Sequence, residues 1–211
     1  MNGNNKHSYS GLKPKKSIPL LGRIDFNAPV ILSFTIISLI VLIISELTDG
    51  RFGSMLAVRR ASFLDPLMYV RMITHIFAHS GIHHYTSNFL LILIIGPMVE
   101  EKYGSELLAV LIGITAVVTG VFNIIFLPGA ATMGASGIVF MLVVLGSFTN
   151  IKVGRIPLTA ILVSVIYIGN EVITSLTSNN NIAYFAHILG GLCGAGFGYL
   201  LHGPKMSGKK D

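Results

Sequence analysis

The stretch Met133-Gly134-Ala135-Ser136-Gly137-Ile138-Val139-Phe140-Met141-Leu142-Val143-Val144-Leu145-Gly146-Ser147-Phe148-Thr149 carries no charge and decides how the chain is built. From Ala135 to Thr149 it reads as an apolar helix of about 15 residues. At ~1.5 Å per residue that is roughly 22 Å, against a bilayer hydrocarbon core of about 30 Å. The helix is too short to span. If it reaches one membrane surface, its start lies below the other, and residues 128–134 must descend to meet it. Irregular backbone at that depth is tolerated only where it packs in protein or lines a water-filled cavity. Ser136 then sits at a helix amino terminus, whose unpaired N–H groups can stabilise a developing negative charge. The small residues Gly134, Ala135, Ser136 and Gly137 also suit close helix packing, a purely structural use.

Composition places this helix among others of its kind. Of 211 residues, 52% are hydrophobic and 11% charged, and the mean hydropathy is +0.74. A soluble domain carries roughly a quarter charged residues, so most of this surface faces lipid rather than water. Apolar runs occupy Ala28–Ser45, His84–Val99, Leu107–Leu127, Ala135–Thr149, Pro157–Leu176 and Ala183–Leu201, which predicts an all-α, polytopic bundle of six transmembrane helices with a short central helix four. The first run, about 18 residues long, has a basic flank but no small-x-small cleavage site, and reads as a retained helix. The domain is expected over residues 28–202, with a polar tail at 1–27 and a basic tail at 203–211. The connection from Glu46 to His83 mixes arginines with apolar residues and is expected to lie partly in the membrane interface.

Lysine and arginine give the orientation. With the amino terminus in the cytoplasm, Lys13, Lys15, Lys16, Arg23, Lys102, Lys152, Arg155, Lys205, Lys209 and Lys210 all fall inside, whereas residues 128–134 and 177–182 hold none. The long first outer loop, with Arg51, Arg59, Arg60 and Arg71, is the exception, since long loops obey the rule less strictly. Both termini are therefore expected in the cytoplasm, most simply at the cell membrane. The net charge of +6 resides in tails and loops rather than along one amphipathic face, so nucleic acid is not an expected partner. Cys193 is the single cysteine, which excludes an intrachain disulfide framework, and no cofactor-binding pattern is read.

With this orientation, helices two, four and six all enter from the outer side, and their polar residues share one depth. Helix two opens with His84 and Asn88, four apart on one face and both able to donate hydrogen bonds. Helix four opens with Ser136. Helix six holds His187, with Gly190 and Gly194 forming a small-xxx-small face beside it. An ionisable residue inside a membrane helix is a functional candidate. A histidine within reach of a hydroxyl can act as general base and then as general acid toward a leaving amine. His75, His79 and His83, also four apart, leave a metal site as a rival, though no HExxH motif accompanies them. Ile138 excludes the G-x-S-x-G elbow of α/β-hydrolases.

Three motifs in this order, His79-x4-His84-x3-Asn88, Gly134-Ala135-Ser136-Gly137 and Ala186-His187-x2-Gly190-x3-Gly194, resemble the rhomboid intramembrane serine proteases of the basic six-helix type. The resemblance covers the chain from helix one to helix six. It implies a serine endopeptidase that uses no cofactor and cuts transmembrane protein substrates, in the lipid bilayer, near their outer boundary. It makes Ser136 the nucleophile and His187 the base, with His84, Asn88 and the Ser136 backbone N–H around the oxyanion. It gives Arg71, Glu100, His75 and His79 structural roles, and puts Phe140 where some members stack a tyrosine on the catalytic histidine. Glu171 has no assigned role beyond packing or a water contact. The alternative is a non-catalytic relative that binds membrane helices, disfavoured by the presence of both Ser136 and His187. A transporter would require paired discontinuous helices with internal symmetry, which the sequence lacks.

Overall fold

The computed structural model describes residues 27–148, positions 158, 162, 165 and 166, and residues 182–202. The named elements within these residues are helices: α1 Pro29–Leu47, α2 Arg51–Leu56, α3 Pro66–Thr74, α4 Ile82–Tyr103, α5 Ser105–Phe126, α6 Ser136–Ser147 and α7 Ile182–His202. Of these, α1, α4 and α5 are long and apolar enough to cross a membrane, while α6 and residues 185–201 of α7 are shorter apolar helices. The fifth expected run, Pro157–Leu176, lies largely outside the described residues, as do Glu171 and both tails. Of that run Leu158, Leu162, Val165 and Ile166 are helical and exposed.

At 12 residues, α6 is shorter still than its sequence suggests, about 18 Å. Every residue from Gly137 to Gly146 is buried, because α4, α5 and α7 all pack around it. The outward side chains of α1 differ sharply: Ile36, Ile40 and Ile43 stand about half exposed, a surface suited to lipid tails. The small-residue face of α7 is what lets α6 be enclosed. A methyl group added at Gly190 would collide with the carbonyl oxygen of Gly137, and one at Gly194 would sit 2.5 Å from that of Met141. Neither backbone can give way without parting the two helices.

The connection after α1, expected from the sequence to lie partly in the membrane interface, contains the short helices α2 and α3. Asp65 caps α3 by accepting from the Leu67 N–H at 3.0 Å, and Pro66 occupies the first turn. Arg71 fastens the segment by donating from Nε to the Met55 carbonyl at 2.9 Å. Met68 packs inward on Val58 and Ile124, while Phe63, Leu64, Leu67 and Val70 are exposed.

Glu100, 2% exposed, ties the start of α1 to the end of α4. Its carboxylate accepts from the Val30 N–H at 2.9 Å, the Ile31 N–H at 3.0 Å and the Ser105 hydroxyl at 2.7 Å. The first N–H groups of a helix have no partner within it, so α4 supplies the cap for α1. Hydrogen bonds to a charged group contribute about 1.5–3 kcal/mol each. Glu100→Ala should therefore destabilise the fold by roughly 3 kcal/mol or more. Glu100→Gln should fall between it and wild type in a thermal-unfolding series. Equal stability of all three proteins would refute this role.

Candidate active site

Ser136 is the first residue of α6, preceded by buried Ala135 and by Gly134 at φ +129°. That conformation favours glycine, and the surroundings demand it. A methyl group at Gly134 would lie 2.7 Å from His84 Cε1, 2.8 Å from His84 Nε2 and 3.8 Å from Asn88 Nδ2. The His84 ring and the Asn88 amide thus press against the backbone two residues before Ser136. Asn88 is buried, and its Nδ2 has no hydrogen-bond partner among the described residues. A buried amide donor without an acceptor is costly, and marks a place where an acceptor could bind. His83 is exposed, away from this cluster.

On the other side stands α7. The carbonyl of Ala186 comes within 3.3 Å of where a Gly137 methyl would be, and Gly190 meets Gly137 directly. These contacts bracket His187 in α7 and adjoin Ser136 in α6. The His187 ring stacks on Phe140, one turn after Ser136, with centroids 4.5 Å apart and planes within 10°. His187 is also an electrostatic neighbour of His84. Ser136, His84, Asn88, Gly134, Gly190 and the stacked His187–Phe140 pair thus lie about the first turn of α6, whereas Gly194 packs farther along it, against Met141 and Val144.

Two further histidines hold the descending backbone. The Gly134 N–H donates to the His75 carbonyl at 3.0 Å, and the Ala135 N–H donates to His79 Nε2 at 3.2 Å. A nitrogen that accepts carries no proton, so His79 is protonated on Nδ1, which faces the Phe77 carbonyl at 3.3 Å. His75 Nδ1 likewise faces the Arg71 carbonyl at 3.1 Å. His75 Nε2 faces the Thr119 hydroxyl at 3.4 Å, and among the described residues no group of three or more His, Cys, Asp or Glu is placed to hold a metal ion.

Burial lowers the pKa of both His75 and His79 from 6.5 to about 4, with nearby His84 adding to the effect at His79. Both are neutral at pH 7, as the acceptor role of His79 requires. In the unfolded chain they protonate near 6.5. The unfolded state then binds more protons as pH falls from about 6.5 to about 4, so stability is complete above that window and is lost through it. Each histidine should contribute a slope of up to about 1.4 kcal/mol per pH unit. Thermal unfolding in detergent should show this decline, and His79→Gln should make it shallower. A variant with an unchanged slope would contradict the assignment.

Beneath Ser136 lies a small cavity of about 20 Å³, room on the order of one water molecule. Its polar lining comes from His75, Thr119, Asn123, Thr132 and Ser136. Asn123 donates to the Thr132 hydroxyl at 2.6 Å, while its Oδ1 has no partner among the described residues. The sequence reading missed this group. Its trace was Thr115, Thr119 and Asn123 at four-residue spacing in an otherwise apolar helix.

A comparison with protein families places this arrangement. The family model for the rhomboid domain matches residues 66–204, which takes in the helix ends that meet at Ser136. The chain belongs to the rhomboid family. A comparison with curated proteins returns no match. Rhomboids are in general intramembrane serine proteases, although the family includes inactive members. With its apolar helices, this rhomboid is an integral membrane protein.

Proposed function

We propose that this rhomboid is a serine endopeptidase that hydrolyses transmembrane protein segments near their outer membrane boundary. One observation supports the reading: the backbone flanking Ser136 meets His84 and Asn88 at Gly134 and the His187-bearing helix at Gly137. In this mechanism His187 removes the hydroxyl proton as Ser136 Oγ attacks the substrate carbonyl carbon. The carbonyl oxygen becomes an oxyanion, taken by Asn88 Nδ2, His84 Nε2–H and the Ser136 N–H at the start of α6. His187 then protonates the leaving amine as the peptide bond breaks. A water, for which the adjacent cavity has room, attacks the acyl–enzyme ester as His187 takes its proton. Return of that proton to Ser136 Oγ releases the carboxylic acid product.

The same proposal includes six membrane spans over residues 28–202, with the tails at 1–27 and 203–211 in the cytoplasm. The distribution of lysine and arginine supports this orientation, and with it the placing of the Ser136 end toward the outer side of the cell membrane. Incubating detergent-solubilised protein with a fluorogenic membrane-segment substrate, with and without Ser136→Ala, tests the activity. Cleavage by wild type alone is the expected result, and equal cleavage by both would overturn the reading.

A further inference from the structure

His84 presents a chemical question that its placement raises. A neutral imidazole has one donor nitrogen and one acceptor nitrogen. The ring nitrogen nearest Gly134, two residues before Ser136, is Nε2, on the Cε1–Nε2 edge that meets that glycine. Only the tautomer with its proton on Nε2 can donate there, whereas the other tautomer would direct a lone pair at a developing oxyanion. Which tautomer forms is decided by the partner of the opposite nitrogen. That partner is Ser80, whose hydroxyl can either donate to Nδ1 or accept from it. Its hydroxyl oxygen lies 3.1 Å from His84 Nδ1, on the turn leading into α4. The ring is held from the side as well, by an edge contact with His79 at 5.1 Å between centroids. His79 itself already accepts the Ala135 N–H, one residue along the same backbone.

We propose that Ser80 is a positioning residue, whose hydroxyl donates to His84 Nδ1 and thereby fixes the proton on Nε2, where it points at the reacting carbonyl oxygen. The proposal rests on the serine-protease reading above and adds to it a residue outside the family-like motif positions. Ser80 does not touch the substrate, so its effect passes entirely through His84. Ser80→Ala should lower kcat roughly 3- to 10-fold, the worth of one hydrogen bond, and leave KM unchanged. Ser80→Thr keeps a hydroxyl and should restore kcat. In a His84→Ala background, Ser80→Ala should cost nothing further, because the donor it orients is gone. An unchanged kcat in Ser80→Ala, or an equal loss in both backgrounds, would overturn the proposal.

A second measurement does not depend on turnover. In protein carrying ¹⁵N-labelled histidine, the His84 resonances, identified by their loss in His84→Ala, should report the Nε2–H tautomer in wild type and a shift toward Nδ1–H in Ser80→Ala. Nδ1–H in wild type, or identical spectra, would contradict the proposal. Retained cleavage in Ser136→Ala, or an inactive wild type, would instead count against the protease reading alone.

Discussion

Ser136→Ala and His187→Ala are each expected to abolish cleavage of a membrane-segment substrate, with losses of at least about 10⁴-fold. The double variant should be little worse than either. The reason is chemical: an alkyl alcohol is a weak nucleophile without a base at hand, and the base has nothing to activate once the hydroxyl is gone. Packing gives the pair its own control. Ser136 is half-buried at the start of an enclosed helix, and His187 stacks on Phe140, so alanine at either position leaves the Gly137–Gly190 contact in place. Both variants should unfold at temperatures near that of wild type. Additive losses, or residual cleavage in Ser136→Ala, would mean that the two residues do not act as a unit.

The second large effect is expected at the donors. Removing one hydrogen-bond donor to an oxyanion typically costs 10²–10³ in turnover. Asn88→Ala and His84→Ala should each slow kcat by about that range. Some activity should remain, because the Ser136 N–H survives both changes. Asn88→Ala carries a further expectation. It removes a buried amide whose Nδ2 has no partner among the described residues, so the fold should not be weakened much and could gain stability. Loss of activity without loss of stability is the mark of a group kept for its chemistry. His83→Ala, on the exposed side of the same turn, should be close to silent. A crippling His83→Ala beside a silent His84→Ala would contradict the register of α4.

The membrane helices were legible because lipid imposes a simple rule: long apolar runs with polar ends, as in α1, α4 and α5. The short central helix was legible for the same reason, since its run ends too soon. The Gly190–Gly194 face of α7 could also be read, because close backbone approach needs small residues at that spacing. What could not be read was contact across the fold. Nothing local in Glu100 says that it caps a helix about 70 residues earlier in the chain, beginning with the Val30 N–H. Nothing local in His79 says that it accepts from Ala135 rather than binding a metal ion. The helices α2 and α3 went unread for another reason. They are 6 and 9 residues long, too short for periodicity to declare itself, and the Asp65-Pro66 start signal of α3 was the only local cue. Thr119 and Asn123 were passed over because threonine and asparagine in an apolar helix can satisfy themselves on its own backbone, as the Thr119 hydroxyl does with the Thr115 carbonyl.

The most direct measurement is covalent labelling of the intact protein in detergent with a fluorophosphonate, followed by mass determination and peptide mapping. A serine made nucleophilic by His187 predicts one adduct, on Ser136, absent in Ser136→Ala and slowed by orders of magnitude in His187→Ala, with labelling and cleavage both unaffected by a metal chelator. An unlabelled Ser136 in protein that still cleaves its substrate, or cleavage lost to the chelator and restored by zinc, would contradict the account.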